Sequence, residues 1–217
     1  MVNGEDRLRI TEIFLSLQGE ADAVGWPTVF VRLTGCPLRC NYCDTEYAFT
    51  GGETLTLKEI IEKVSELGVS HVCVTGGEPL SQKSVHPLMK SLCDLDYQVS
   101  LETSGALDIT QVDPRVSIVM DLKTPSSGEV DKNLYGNIEH LKAGDQLKLV
   151  IADQSDYDWS KQTIAEYGAA TKATVLFSPA FGQLEPQKLA QWIIDDRLNV
   201  RFQLQLHKIL WGDEKGK

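Results

Sequence analysis

Three thiols crowd into one short stretch, Gly35-Cys36-Pro37-Leu38-Arg39-Cys40-Asn41-Tyr42-Cys43-Asp44-Thr45, with three residues between the first pair of cysteines and two between the second. Cysteine thiolates hold iron–sulfur clusters, and a cubane of four irons ordinarily takes four of them. Three ligands leave one iron open to a substrate or cofactor, so the count points to chemistry at the cluster. Short cysteine spacings also suit tetrahedral zinc completed by a distant fourth ligand. The thiols alone leave both readings open.

Other residues along the chain have types suited to a site. Gly76-Gly77-Glu78-Pro79 offers backbone that can approach a ligand closely, since glycine lacks a Cβ; a plain strand end is the alternative. Gly19, in Leu17-Gln18-Gly19-Glu20, has the same two readings. Arg32 falls inside the apolar run Val29-Phe30-Val31-Arg32-Leu33, where a guanidinium is costly to bury unpaired. Glu102 and His207 stand at or near strand ends, where a ligand contact and a local turn or end contact are both open.

These residues need elements to bring them together. Thr28–Thr34 reads as a buried strand rich in β-branched and aromatic residues, and its end delivers the cysteine loop. Thr56 and Glu59 have capping-box spacing, followed by Leu57, Ile60, Ile61, Val64 and Leu67 at helical period, with Gly68 as a stop. Further strands are predicted at His71–Thr75, Val99–Thr103, Val116–Leu122, Gln146–Ile151, Thr174–Phe177 and Val200–Leu206. Helical patterns separate several of them, at Val85–Leu95, Ser155–Tyr167 and Pro186–Leu198, with Pro186 suited to a first helical position.

Strands alternating with helices imply βαβ units and a mostly parallel sheet in an α/β domain. Ligands bind at the carboxyl ends of such strands. The segments Gly35–Thr45, Gly76–Pro79, Glu102–Gly105, Asp121–Thr124 and Ser178–Phe181 each follow a predicted strand, so they are expected to converge on one edge.

The 217 residues fit a single domain, 1–217, and 42% hydrophobic content is ordinary for a globular protein. Met1–Arg9 has no apolar core of signal-peptide type and no run approaches a membrane span, which predicts a cytoplasmic protein with no membrane partner. Five cysteines, three of them crowded, indicate metal or redox chemistry in a reducing compartment rather than a disulfide framework. Cys73 and Cys93 read as inert core residues. A formal net charge of -10 excludes a broad nucleic-acid footprint and points to a small-molecule substrate.

Cys36-x-x-x-Cys40-x-x-Cys43, with Tyr42 before the last cysteine, resembles the signature of radical S-adenosylmethionine enzymes, and Gly76-Gly77-Glu78-Pro79 resembles their glycine-rich cofactor motif. Leu17-Gln18-Gly19-Glu20, Phe30-x-Arg32-Leu33, Gly35-Cys36-Pro37, Cys43-Asp44-Thr45, Thr75–Pro79, Glu102-Thr103-Ser104-Gly105 and Gln205-x-His207-Lys208 narrow the resemblance to the 7-carboxy-7-deazaguanine synthases, in order and over nearly the whole chain. An activase that makes a glycyl radical on a partner protein would share the cysteines and the Gly76–Pro79 loop but not the other landmarks. A zinc or redox-cluster module without catalysis is the rival from another class.

The resemblance implies an incomplete (β/α) barrel in which Cys36, Cys40 and Cys43 hold a [4Fe–4S] cluster whose fourth iron is chelated by S-adenosyl-L-methionine. Reductive cleavage of that cofactor releases a 5′-deoxyadenosyl radical, so no side chain is assigned a catalytic role of its own. Gly77, Asp121, Leu122, Lys123 and Ser178 fall at cofactor-binding positions, and Leu17, Gln18, Gly19, Arg32 and Thr75 at substrate-binding ones. Glu20 stands where it would accept from aminopyrimidine N–H groups, and Thr45 falls at the Mg2+ position. The implied substrate is 6-carboxy-5,6,7,8-tetrahydropterin, converted to 7-carboxy-7-deazaguanine with loss of ammonia in queuosine and 7-deazapurine biosynthesis. An electron donor and a homodimer are implied as well. The resemblance departs at Asp121-Leu122-Lys123, where many relatives carry Ser-Pro-Lys, and at Ile209–Lys217, which continue past the His207-Lys208 motif.

Overall fold

The computed structural model describes residues 6–212 together with Glu214 and Gly216. The first five residues of the Met1–Arg9 segment, and parts of the Ile209–Lys217 extension, therefore lie outside the described residues. Nine described strands form one sheet: β1 (Arg7–Leu17), β2 (Pro27–Leu33), β3 (Glu53–Thr56), β4 (His71–Gly76), β5 (Gln98–Thr103), β6 (Ser117–Asp121), β7 (Gln146–Ile151), β8 (Thr174–Pro179) and β9 (Arg201–Phe202). Their order is β3-β1-β2-β4-β5-β6-β7-β8-β9. From β2 to β9 every neighbouring pair is parallel. β1 pairs antiparallel with both β2 and β3, extending one edge.

The helices are α1 (Leu57–Glu66), α2 (Val85–Asp94), α3 (Gln154–Glu166), α4 (Pro186–Asp195) and α5 (Leu206–Trp211). α1 begins at the expected capping box: the Thr56 side chain accepts from Glu59 N–H, and Glu59 reaches back to Thr56 N–H. Asp153 caps α3 by accepting from Asp156 N–H, and Pro186 opens α4 at its first turn.

Alternation along the strands separates two faces. Val29, Val31, Leu33, Val72, Val74, Leu101, Met120, Leu147, Leu149 and Phe177 face the helices and pack against Leu57, Ile60, Leu88, Leu92, Tyr157 and Leu189, all essentially inaccessible to water. Each such side chain contributes about 1.5–3 kcal/mol by leaving water. The intervening positions line the concave side, and there Arg32, Thr75, Glu102, Asp121 and Lys148 replace aliphatic residues. The result is an open, mostly parallel (β/α) barrel with an apolar outer layer and a polar interior at its carboxyl edge.

Two expectations change, and strand β1 is new. Val200–Leu206 contains only the two-residue β9: Gln203 N–H still donates to Phe177 C=O of β8 at 2.9 Å, but its side chain pairs with the backbone of Ala21, and Leu206 N–H donates to Gly19 C=O at 2.9 Å before α5 begins. β8 runs through Ser178 to Pro179, so Ser178 lies within a strand rather than in the loop after it. β1 carries no clean two-residue period because its pairing slips between Ile10 and Glu12. Cys73 and Cys93 are buried, as core residues should be. No helix among the described residues is long and apolar enough to cross a membrane.

Candidate active site

The predicted convergence occurs. Residues from all but one of the loops that end the strands, from Cys36 through Gly76, Glu102, Asp121 and Ala180, meet around a cavity of about 460 Å³ at the carboxyl edge; the β7–α3 side contributes Lys148 and Val150. That volume is ordinary for a small-molecule site. Cys36, Cys40, Cys43, Thr45, Gly77, Asp121 and Lys123 line it, as do Leu17, Gln18, Gly19, Arg32 and Thr75. Leu122 and Ser178 do not. Leu122 is buried in the core with its N–H donated to Lys148 C=O, and Ser178 sits behind the wall.

The cysteine loop is clamped from both sides. Gly35 N–H donates to Ala48 C=O at 2.8 Å, and Gly35 C=O accepts from Glu78 N–H at 2.9 Å. On the far side Asn41 donates through its backbone to Ser127 C=O and through its side chain to Ser126 C=O. The segment 126–127 is itself held by Asp156 of α3, which accepts from Ser126 N–H at 2.9 Å.

The glycine pair is explained by this clamp. A Cβ at Gly76 would meet Leu33 O at 2.3 Å, and one at Gly77 would meet Gly35 O at 2.3 Å and Cys36 Cβ at 2.8 Å. The close approach at Gly77 is therefore first to the protein's own cysteine loop. Glu78, fully buried, ties the same loop to the end of β5 by accepting from Leu80 N–H, Ser104 N–H and the Thr103 and Ser104 hydroxyls.

Burial pushes all three thiols up, Cys40 to about 11, with the Lys123 ammonium pulling the other way. Thiolates are the ligand form, and burial in this wall disfavours them unless a bound cation compensates their charge. Cys36 Sγ already accepts from Leu38 N–H at 3.4 Å.

Charged and polar groups fill the rest of the interior in pairs, as their burial requires. Arg32 Nε donates to Glu12 at 2.7 Å, and its guanidinium lies by the rings of Phe14 and Tyr47. Glu102 accepts from Thr75 Oγ1 at 2.8 Å and from Gln18 Nε2 at 3.2 Å. Lys148 bridges Glu20 at 2.5 Å and Asp121 at 3.3 Å, and Asp121 also pairs with Lys123 at 3.1 Å. Burial alone would raise Asp121, but Lys123 and Lys148 outweigh it and hold the carboxyl below its ordinary range.

Gly19 permits another close approach, since a Cβ there would lie 2.1 Å from His207 Nδ1. His207 and Lys208 line the cavity from α5, Lys208 pairs with Asp44 at 3.6 Å, and the Thr45 hydroxyl donates to Asp44 at 2.7 Å.

Lys148 is the residue that sequence reading missed. Its signal was present: it occupies the inward phase of an apolar strand, the same oddity that singled out Arg32. Gln205, which donates to Glu20 at 2.6 Å, and Glu12 were likewise not singled out as individual site residues.

The donor set fits an iron–sulfur cluster with a bound cofactor. All five cysteines are free, and the three loop thiols line one wall of the cavity. Among the described residues no three His, Cys, Asp or Glu side chains converge on one ion, the arrangement tetrahedral zinc needs. The Ser178 hydroxyl, in β8, is buried with no hydrogen-bond partner among the described residues.

Comparison with known proteins agrees with this geometry. Residues 30–170 match the model of the radical SAM superfamily. The chain is 46% identical over 214 residues to the 7-carboxy-7-deazaguanine synthase of Chlorobaculum tepidum, covering 97% of each, and 39% identical to that of Koribacter versatilis, covering 95% of this chain and 98% of the other. The crystal structure of QueE from Escherichia coli shares the fold, with a TM-score of 0.73 and 20% identity over 93% of this chain and 95% of that one. Identity at this level along nearly the full length, on a radical SAM barrel, makes the chain a member of the 7-carboxy-7-deazaguanine synthase family.

Proposed function

We propose that the protein converts 6-carboxy-5,6,7,8-tetrahydropterin to 7-carboxy-7-deazaguanine, contracting the ring and eliminating ammonia, as a carbon–nitrogen lyase of queuosine and 7-deazapurine biosynthesis. The observation that carries this reading is one cavity holding three free thiols on one wall and Arg32, Thr75, Gln18 and Glu20 on the others.

In this reading Cys36, Cys40 and Cys43 hold a [4Fe–4S] cluster, and Gly77, Asp121 and Lys123 hold S-adenosyl-L-methionine, with Leu122 and Ser178, buried next to that wall, supporting it. When bound, cluster and cofactor together supply a radical able to abstract hydrogen from the substrate carbon that bears the carboxylate. Lys123 meets the cofactor carboxylate, and Asp121 accepts from ribose hydroxyls. The Arg32 fork takes the substrate carboxylate, with Glu12 and the two rings fixing its plane. Backbone groups of Leu17, Gln18 and Gly19 meet the flat pterin edge, while Thr75 is oriented by Glu102.

Thr45 contributes its hydroxyl to Mg2+, a hard ion that shares its remaining positions with water and substrate. Five unpaired cysteines support a reducing, cytoplasmic setting. A homodimer and a separate electron donor complete the proposal, and light scattering on the anaerobic protein checks the first.

The test is anaerobic incubation of the reconstituted protein with reductant, Mg2+, S-adenosylmethionine and carboxytetrahydropterin. Carboxydeazaguanine is expected, and alanine at any of the three cysteines abolishes both cluster absorption and turnover. Release of 5′-deoxyadenosine on a different substrate, with no carboxydeazaguanine formed from the pterin, overturns the assignment.

A further inference from the structure

Lys148 stands at the centre of a charge chain that crosses the cavity wall, and none of the roles assigned above uses it. It lies beside Asp121 in the parallel β6–β7 register, on the inward face. Its shortest contact, however, is to Glu20 at 2.5 Å, 128 residues earlier in the chain. Asp121 has a second, nearer cation in Lys123, so Lys148 is not its sole counter-charge, whereas it is the one cation paired with Glu20 among the ion pairs of the described residues.

Glu20 is held at both oxygens: Oε2 accepts from Lys148, and Oε1 accepts from Gln205 Nε2 at 2.6 Å. The carboxylate is nearly inaccessible, with 8% of the side chain exposed, yet it borders the cavity. A carboxylate has about four acceptor sites. Two anchors therefore leave one further lone pair on each oxygen, and the anchors fix the plane in which those two lie.

We infer that Lys148 is a positioning residue for ligand selectivity: by fixing the Glu20 carboxylate it presents a rigid pair of acceptors to a ring edge carrying adjacent N–H donors. An aminopyrimidine edge, with its exocyclic amine beside a ring N–H, matches that pair in bidentate fashion. An edge with a carbonyl in place of the amine sets oxygen against oxygen. This inference rests on the proposed pterin substrate and deepens it.

Two probes differ at C2 and in the N1 proton that goes with it: pterin-6-carboxylate, with the amine and a bare N1, and lumazine-6-carboxylate, with the carbonyl and an N1–H. Their dissociation constants are measured by anaerobic calorimetry on the cluster-loaded protein with S-adenosylmethionine bound. The wild type is expected to prefer the pterin. Lys148→Met lowers that preference by about ten- to hundredfold, the worth of one hydrogen bond to a charged group, through weaker pterin binding with lumazine unchanged. Lys148→Arg restores part of it.

Glu20→Gln loses the preference too, and adding Lys148→Met to it changes nothing more, because residues acting through one contact are not additive. Where Lys148→Met does not fold, Lys148→Gln, which is polar but lacks the charge that holds Glu20, stands in its place and is expected to lower the preference in the same direction. Equal weakening of both probes, an undiminished preference, additive effects in the double variant or no preference in the wild type overturns the inference. Wild-type turnover of carboxytetrahydropterin is scored separately. Its absence counts against the proposed function, whereas turnover with an unmoved preference counts against Lys148 alone.

Discussion

A methyl group placed on Gly77 has nowhere to go. The obstructing atoms are the Gly35 carbonyl and Cys36 Cβ, the backbone just before the first thiol and the carbon that carries it. Gly77→Ala is therefore expected to push the cysteine loop aside, at about 1–3 kcal/mol for overpacking. Urea unfolding of the apo protein measures that cost, and iron content after reconstitution falls with it. Gly168→Ala is the control: this glycine, unlike Gly77, has a positive φ, +60°, so alanine is strained there, but its Cβ would meet only the Thr171 hydroxyl at 3.8 Å, away from the cysteine loop. It is expected to lower stability and leave iron content unchanged. Equal iron loss in both variants would show that general destabilisation, rather than displacement of the loop, governs loading.

Between elements, one carboxylate joins α4 to α3. Asp196, just past α4, accepts from Lys161 Nζ at 2.6 Å and from the Tyr157 hydroxyl at 3.0 Å. Lys161 first, and Tyr157 with it, hold this carboxyl below its ordinary value. A carboxyl lowered by folding adds stability that is fully present above its unfolded pKa, near 4, and is lost as pH falls through the folded value. Asp196→Asn is thus expected to be less stable than wild type at pH 7, with the gap narrowing as the pH is taken below about 4. Thermal melts at matched ionic strength follow it, and a gap that is constant with pH sinks the idea.

Elements of this kind were largely legible in the sequence because local chemistry specifies them. The Thr56–Glu59 box, Pro186 and the apolar period of Val85–Leu95 each state a helix start or face within a few residues. Illegible were the features set by distant partners. β9 stops because Gln203 pairs with Ala21, and Lys148 matters because Glu20 reaches it; neither fact is written near the residue concerned. The cysteines and Arg32 stood out because their types are expensive or reactive where they stand. Ser178 was placed in a loop because nothing in Thr174–Phe177 says that the strand continues two residues further.

For the molecule as a whole, a single sheet from β3 to β9 with one apolar layer behind it leads to one unfolding unit. We propose that the chain is one domain and expect a single transition in which far-UV circular dichroism and tryptophan fluorescence coincide. The tryptophans suit the purpose: Trp26 adjoins β2, whereas Trp159 and Trp192 lie on α3 and α4 beyond the other half of the sheet. Two separated transitions would divide the sheet into independent parts.

The seam between Gln18–Ala21 and Gln203–His207 bears on how the site comes into being during synthesis. Leu206 N–H on Gly19 C=O, Gln205 on Glu20 and Gln203 on Ala21 all join positions more than 180 residues apart. Synthesis reaches all three cluster cysteines by residue 43, yet the opposite wall waits for residues 203–207. Closing such a long loop is slow. Until those residues emerge the thiols stand in an open trough, accessible to whatever delivers iron and sulfide, and the pocket shuts around them only when residues 203–207 meet residues 18–21.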